Sequence, residues 1–201
     1  MKLRIGRHAV LCTVVPVILA LIMLVVGCQQ QPVPYSPPPP SPTEEVLKYA
    51  DIYVNSKYGF SVNYCKDWDV LEDYIGMTVA FMAPLVQVES DLVSIYITVD
   101  QLSKNATLED YVGSNKKVGE ERLVNYDELN EYATTISGVP ATVLTFSFTY
   151  ETENAVLDFK DILAMLVKDG VGYSITYDVL SEFHDDYVDW FDLAIYTFRL
   201  D

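Results

Sequence analysis

The run Val93-Ser94-Ile95-Tyr96-Ile97-Thr98-Val99 decides the fold class of this chain. Its odd-numbered positions are all aliphatic and alternate with Ser, Tyr and Thr, which is the period-two pattern of a strand that buries one face. Similar short runs occur on both sides of it and are interrupted by only two or three segments with helical character. The sequence therefore predicts an α+β sandwich.

Eight further runs predict strands, and two turns indicate how some of them pair. Gly138-Val139-Pro140 is a turn between two of these runs, and Asp169-Gly170 is a turn between the next two, which predicts antiparallel pairs. The predicted strands are Ile52 to Asn55, Phe60 to Tyr64, Thr78 to Met82, Ala133 to Ser137, Thr142 to Tyr150, Asp158 to Val167, Tyr173 to Val179 and Tyr196 to Leu200.

Two segments predict helices. Thr107 is expected to cap a helix over residues 107–118, with Glu109 and Asp110 in the first turn, where the helix dipole favours acids. Ser181 is expected to cap a second helix that runs to about Ile195. The apolar face of this last helix is formed by Phe183, Tyr187, Phe191, Ala194 and Ile195.

Residues 1–27 have the pattern of a lipoprotein signal peptide. A basic N-terminus precedes an uncharged, largely apolar stretch from Ala9 to Val26. The stretch ends in Leu24-Val25-Val26-Gly27-Cys28, which resembles the lipobox of prokaryotic lipoproteins and implies cleavage before Cys28, acylation of its sulfur and attachment to membrane lipid. An uncleaved transmembrane helix is the alternative. Both place the remaining chain at the cell membrane, on its extracytoplasmic face.

Residues 28–43 are expected to form a lipid-anchored, proline-rich stalk. The tract at 32–42 reads PVPYSPPPPSP, which favours an extended polyproline II conformation. At about 3.1 Å per residue, the tract would hold the domain roughly 30 to 35 Å from the membrane. A PxxP ligand for a recognition domain is the alternative. The globular domain then covers residues 44–201.

Charge and hydropathy of the whole chain point in opposite directions. The 201 residues carry 29 acidic and 13 basic side chains, for a net charge of −16, yet the mean hydropathy is +0.16. The predicted signal peptide explains the conflict, since its removal takes away Lys2, Arg4 and Arg7 and leaves ten basic side chains and a net charge of −19. Such an acidic protein is not a nucleic-acid binder, because it cannot neutralise phosphates.

Few side chains of the predicted mature chain suit catalysis. Cys65 would be its only free thiol and is expected to be buried. His184 would be its only imidazole and is expected on the surface of the last helix, so a site with several histidines is excluded. No Gly-x-Ser-x-Gly motif is present to place a nucleophilic serine. We therefore expect no catalytic residues and no enzyme.

Acidic residues recur at helical spacing along the last predicted helix. They are Glu182, Asp185, Asp186, Asp189 and Asp192. Carboxylate oxygens bind calcium and other hard divalent cations, so the first four form a candidate weak metal site, although a solvated helix face explains them better. No other cofactor is expected. The same carboxylates also leave open an envelope hydrolase that uses two of them as acid and base.

Several strings along the domain resemble the PsbP family, whose plant members are extrinsic subunits of photosystem II. They are Tyr58-Gly59-Phe60-Ser61-Val62 with Trp68, Thr107-Leu108-Glu109-Asp110-Tyr111, Gly138-Val139-Pro140-Ala141, Tyr173-Ser174-Ile175-Thr176-Tyr177, and Phe183, Tyr187 and Phe191 before Phe198-Arg199. The resemblance implies a Mog1/PsbP-like α/β/α sandwich, with a central antiparallel sheet of about six strands and helices on both faces, and no catalytic activity. Cys65 stands where the family usually has a proline.

These features together predict a non-catalytic lipoprotein tethered through Cys28. Its PsbP-like domain is expected to act as an interaction or assembly module for an envelope or membrane-protein partner. The alternative is an envelope protein that binds a cation or a small ligand through the acidic C-terminal helix.

Overall fold

The computed structural model describes residues 33–37, 41–84, 93–152 and 155–201. The predicted signal peptide, Cys28 and part of the predicted stalk lie outside these ranges. Residues from Val33 onward form one compact unit. Its elements are α1 (Glu44–Lys48), β1 (Ala50–Asn55), β2 (Phe60–Cys65), β3 (Asp69–Glu72), β4 (Val79–Met82), β5 (Val93–Gln101), α2 (Leu108–Arg122), β6 (Val124–Ile136), β7 (Val139–Glu151), β8 (Val156–Lys168), β9 (Val171–Val179), α3 (His184–Thr197) and β10 (Arg199–Leu200).

Seven antiparallel strands form the main sheet, in the order β3-β4-β5-β9-β8-β7-β6. The strand predicted at Val93 to Val99 is confirmed as part of β5. Its register with β9 pairs Ile95 with Tyr177 and Ile97 with Ile175, and these four side chains are at most 2% exposed. The alternation read from the sequence thus directs the aliphatic side chains of β5 into the core.

A second sheet contains three strands in the order β1-β2-β10. It packs on the apolar face of the main sheet, where Phe60 and Val62 join the same core as Ile95, and where the Tyr64 ring stacks on Phe81 of β4 with centroids 4.7 Å apart. The expected single sheet of about six strands is therefore wrong, and helices alone do not cover both of its faces. The main sheet has seven strands, and one of its faces is covered by a small sheet together with a helix.

The two longer helices pack on opposite faces of the main sheet. Phe191 and Ile195 of α3 lie in the core shared with the small sheet. On the other face, Tyr111 and Val112 of α2 pack with a separate cluster that includes Met165 of β8. Successive residues of a strand point to opposite faces, so β7 contributes to both clusters.

The predicted start of α2 is confirmed, but α2 continues to Arg122 instead of ending at residue 118, and the predicted cap of α3 is wrong. Thr107 is confirmed as the N-cap of α2, since its side chain accepts from the backbone N–H of Asp110 while the Asp110 carboxylate accepts from that of Thr107. Ser181 does not cap α3, because it lies in a 3₁₀ turn over Ser181–Phe183 that precedes the helix. The helix begins at His184 without a side-chain cap and continues to Thr197, so Tyr196 is helical and only Arg199–Leu200 is a strand.

The segment 33–37, inside the predicted stalk, lies along the outer edge of β6. Tyr35 forms a parallel bridge with Ala133. The Ala133 N–H donates to the Pro34 carbonyl at 2.8 Å, and the Ser36 N–H donates to the Ala133 carbonyl at 2.8 Å. These residues do not stand free of the domain as a spacer, because two backbone hydrogen bonds fix them to an edge strand whose outer groups would otherwise face water.

Candidate functional site

Four of the five acidic residues predicted on the last helix lie in α3, and Glu182 lies in the 3₁₀ turn that precedes it. Glu182, Asp185, Asp186 and Asp189 are all exposed, and Asp192 is half-buried. Within the described residues, no group of three or more His, Cys, Asp or Glu side chains is arranged to hold a metal ion. Weak calcium binding at the first four therefore stays a prediction, as does the lipidation of Cys28, which lies outside the described residues.

His184 is buried rather than on the surface. It is 7% exposed, because it stands at the first residue of α3 and its ring packs 5.6 Å from the ring of Tyr177. Its Nδ1 lies 2.9 Å from Oδ1 of Asp185, and this contact lowers the pKa of the Asp185 carboxyl. The expected surface histidine is thus wrong, and the residue has a packing role at the start of α3.

Cys65 is confirmed as a buried free thiol. Cys65 is the last residue of β2, and it is 7% exposed and packed in the main core. Burial raises the pKa of the thiol, which disfavours the nucleophilic thiolate. Cys65 therefore acts as a small core residue.

A groove of about 250 Å³ opens between the end of β1 and the loop that joins β3 to β4. We call it the β1 groove, and its lining residues are Val54, Asn55, Ser56, Lys57, Tyr58, Glu72, Asp73 and Thr78. The Tyr53 hydroxyl donates to Oε1 of Glu72 at 2.6 Å and accepts from Nδ2 of Asn55 at 3.0 Å. Burial and the neighbouring Glu72 raise the pKa of Tyr53 to about 12. These bonds join β1 to β3 and fix the positions of Asn55 and Glu72 in the wall of the groove.

One exposed apolar side chain, Val54, lines this groove, and two others lie on the strand and the loop that supply its walls. Ile52 and Val54 on β1 are 62% and 63% exposed, and Ile75 in the β3–β4 loop is 78% exposed. Ile75 also has a φ of +45°, a left-handed conformation that is unfavourable for a β-branched residue. Strained backbone at an exposed position is a frequent feature of binding sites, and the combination marks the rim of the β1 groove as a candidate contact surface.

A second groove of about 480 Å³ lies beside the first half of α2. The Tyr111 hydroxyl in its wall donates to Oδ2 of Asp100 at 2.6 Å, and burial together with Asp100 raises the pKa of Tyr111. Asp110 and Asn115 also line it, but both bond within the helix, Asp110 to its N-cap and Asn115 to the Tyr111 carbonyl. These polar groups are already satisfied by the protein itself.

Two carboxyl groups that the sequence analysis missed lie together in the main sheet. The register that pairs Ile162 with Tyr177 places Asp161 opposite Asp178. Asp161 is 3% exposed, and Oδ1 of Asp178 is buried without a hydrogen-bond partner. Burial raises the pKa of both carboxyls, and Asp178 raises that of Asp161 further.

A carboxylate hydrolase also requires a pair of carboxyl groups, but in a cleft that admits substrate, and neither Asp161 nor Asp178 lines the β1 groove or the groove beside α2. A sequence signal for the pair exists. Asp161 lies two residues before Leu163 and four before Met165, so the alternation of the strand places it on the same face as these apolar residues. A carboxyl group is therefore predicted at a buried position.

Solved structures of similar fold are known. The solution structure of cyanobacterial PsbP (CyanoP) from Synechocystis matches with a TM-score of 0.59 and 16% identity, over 76% of this chain and 93% of that one. The chain has the PsbP-like fold. LpqN, involved in cell envelope biogenesis of Mycobacterium tuberculosis, matches with a TM-score of 0.56 and 10% identity, over 78% of this chain and 94% of that one.

The PsbP-like resemblance read from the sequence is thus confirmed at the level of the fold. No family model matches the sequence, and no curated protein does. Fold alone does not assign a function, which depends on surfaces and sites. In the described part of the chain, no helix is long and apolar enough to cross a bilayer.

Proposed function

We propose that this chain is a membrane-tethered, non-catalytic interaction module of the cell envelope, which contacts its partner through the β1 groove. One observation carries the proposal: the segment that follows the predicted lipid anchor is bonded to β6, at one edge of the main sheet, whereas the groove lies beside β3, at the other edge. Six strand spacings of about 4.8 Å, or roughly 29 Å, separate these edges. The attachment and the contact surface are therefore kept apart.

The chemistry of the groove indicates the kind of partner. Val54 lines the groove, and Ile52 on the same strand and Ile75 in the β3–β4 loop are also exposed. Removing aliphatic groups of this kind from water is favourable when a partner binds. Glu72 and Asp73 stand in the wall of the groove beside Lys57. With a predicted net charge of −19 for the mature chain, a partner surface with basic and apolar side chains is favoured.

The fold neighbours support an envelope role. LpqN is described as involved in cell envelope biogenesis, and CyanoP as a cyanobacterial PsbP. Neither description states a reaction, which agrees with a module whose activity is binding.

The tether can be tested with Cys28→Ser. In a host that processes lipoproteins, the parent chain should float with membranes, and mass spectrometry of its N-terminal peptide should show an acylated Cys28. The variant should appear in the soluble fraction with the same folded domain by circular dichroism. An unmodified Cys28 in the parent chain would contradict the lipoprotein assignment.

The contact surface can be tested with a photoreactive amino acid at Val54 in the native membrane. Val118 is the matched control, because it is an exposed valine (47%) that lines the groove beside α2. Irradiation should give one discrete adduct from position 54 and none from position 118. An adduct from position 118 alone would move the contact to α2, and no adduct from either position would contradict the interaction function.

A further inference from the structure

Three exposed apolar side chains are grouped at the end of the long β6–β7–β8 hairpins. Val124, Tyr150 and Val156 are 46%, 56% and 67% exposed. Val124 pairs with Thr149, and Val156 pairs with Glu151, so both valines lie on one face at the end of the sheet. Tyr150, between Thr149 and Glu151, lies at the same end and points to the other face. We call the three side chains the hairpin tip.

The backbone beside the hairpin tip is well bonded. The Thr152 N–H donates to the Ala155 carbonyl at 2.8 Å, and the Ala155 N–H donates to the Thr152 hydroxyl at 2.9 Å. These two bonds join the residue that follows β7 to the residue that precedes β8, and so fix the ends of the two strands beside the tip. A fixed apolar surface loses little conformational entropy when it is covered.

The direction of the segment 33–37 shows which end of the domain the predicted anchor approaches. Tyr35 runs parallel to β6 where it meets Ala133. Following the chain backwards from Tyr35 therefore leads along β6 toward Val124 and the hairpin tip. Leu129, an exposed side chain (48%) on this edge, lies between Ala133 and the tip.

Chain length limits how far Cys28 can be from the tip. Seven residues separate Cys28 from Tyr35, which span at most about 25 Å when fully extended. Seven residues of β7 also separate Thr142, opposite Ala133, from Thr149, opposite Val124, and they span about 23 Å. The two lengths are similar, so the chain between Cys28 and Tyr35 is long enough to reach the level of the tip and not much beyond it.

We propose that the hairpin tip rests on the lipid bilayer, with Val124, Tyr150 and Val156 at the level of the headgroups. The inference rests on the proposed acylation of Cys28, because the lipid holds this end of the domain at the membrane. Tyrosine suits the position, since its ring is apolar and its hydroxyl can stay in water. The exposed acids Glu151 and Asp158 flank the tip, so zwitterionic headgroups are favoured over anionic ones.

The experiment uses the full chain, processed and acylated in a lipoprotein-exporting host and reconstituted on phosphatidylcholine vesicles. An environment-sensitive fluorophore is attached to Val156→Cys or, as a matched control, to Val54→Cys. Both parent valines are strand residues of similar exposure, 67% and 63%. Cys65 is buried and stays unlabelled in the folded protein.

Flotation of the vesicles first establishes that the protein is anchored. Nitroxide-labelled lipids should then quench the fluorophore at position 156 by at least about twofold and leave the fluorophore at position 54 unchanged, because quenching acts only at short range. Anchored protein with no quenching at 156, or with equal quenching at both positions, overturns the inference and leaves the tether intact. Protein that does not float overturns the tether and this inference with it.

Adding phosphatidylserine to the vesicles gives a second readout. Quenching at position 156 should decrease, since the acids beside the tip are repelled by the anionic surface. An increase would show that the contact does not involve this acidic end of the domain.

Discussion

Asp161 of β8 lies directly opposite Asp178 of β9, inside the main sheet. The backbone N–H of Val179 donates to Oδ1 of Asp161 at 3.3 Å, whereas Oδ1 of Asp178 has no partner. Two ionised carboxylates in such a place would repel each other and would both lose hydration. The folded state therefore favours the protonated form of the pair.

The first prediction concerns the pH dependence of stability. The pKa of Asp178 is raised to about 6 in the folded protein, above about 3.9 for an unfolded chain. Between these values the folded state binds more protons than the unfolded state, so the contribution of Asp178 to the free energy of unfolding falls as pH rises from about 4 to above 6. At neutral pH, Asp178→Asn should be more stable than the parent by on the order of 2 kcal/mol.

Urea unfolding at about pH 4 and about pH 7.5 measures this effect as the difference between the variant and the parent. Asp186→Asn is the control, since it removes one exposed acid of α3, outside the sheet, and reports the effect of net charge alone. A stability advantage of Asp178→Asn that is equal at both pH values, or equal to that of Asp186→Asn, would contradict the assignment.

The second prediction compares two glycines near α2. A methyl group on Gly172 of β9 would lie 2.8 Å from Cζ of Tyr111 and 3.1 Å from Cδ1 of Leu102, and Tyr111 cannot move without breaking its bond to Asp100. Gly172→Ala should lower the free energy of unfolding by about 1 to 3 kcal/mol. Gly113→Ala meets nothing within 4 Å and should raise it by about 0.5 to 1 kcal/mol, because alanine favours the helix.

Thermal unfolding of the two variants separates these effects. Equal shifts in Tm would show that Tyr111 yields to the added methyl group. The pair is informative because both substitutions add the same single carbon.

The strands that the sequence predicts well are those in which apolar and polar residues alternate. The run Val93 to Val99 and the strand at Tyr173 to Val179 direct their apolar residues to one face, although Ser174 and Thr176 on the other face of β9 are buried as well. By contrast, β3 and the first half of β6 carry mostly exposed side chains, since they are edge strands. Their sequences lack the alternation that marks a strand, and they were not predicted.

Pairing between distant segments was not predictable from local pattern. Phe60 to Cys65 alternates like a strand of the main sheet, yet it pairs with β1 and with Arg199–Leu200 at the other end of the chain. The same limit applies to the candidate site, because the β1 groove combines Val54 with Glu72 through the bonds of Tyr53. Neither residue has a sequence signal that points to the other.

The third prediction concerns the reactivity of Cys65. Because burial raises the pKa of this thiol and leaves it 7% exposed, a water-soluble disulfide reagent should modify the folded protein slowly and the urea-unfolded protein at once. Val156→Cys, exposed at the hairpin tip, should react rapidly in the folded state. Rapid modification of Cys65 in the folded parent would contradict its place in the core.

The fourth prediction concerns the attachment of the segment 33–37. Both the N–H and the carbonyl of Ala133 bond to this segment, so Ala133→Pro removes an outward donor at an edge strand, where proline is tolerated. Loss of one hydrogen bond of about 1 kcal/mol should raise amide exchange at Ser36 roughly fivefold. Ala133→Ser keeps the N–H and should exchange like the parent.

The same substitution should also change how the hairpin tip is placed at the bilayer. When the weakened segment opens, the chain between Cys28 and the domain lengthens, so the hairpin tip is held at the bilayer for less of the time. On phosphatidylcholine vesicles, Ala133→Pro should therefore still float but show weaker lipid quenching of a fluorophore at position 156, whereas Ala133→Ser should match the parent. Full quenching in Ala133→Pro would mean that the tip binds lipid without the help of this edge contact, and that the two hydrogen bonds of Ala133 do not orient the domain.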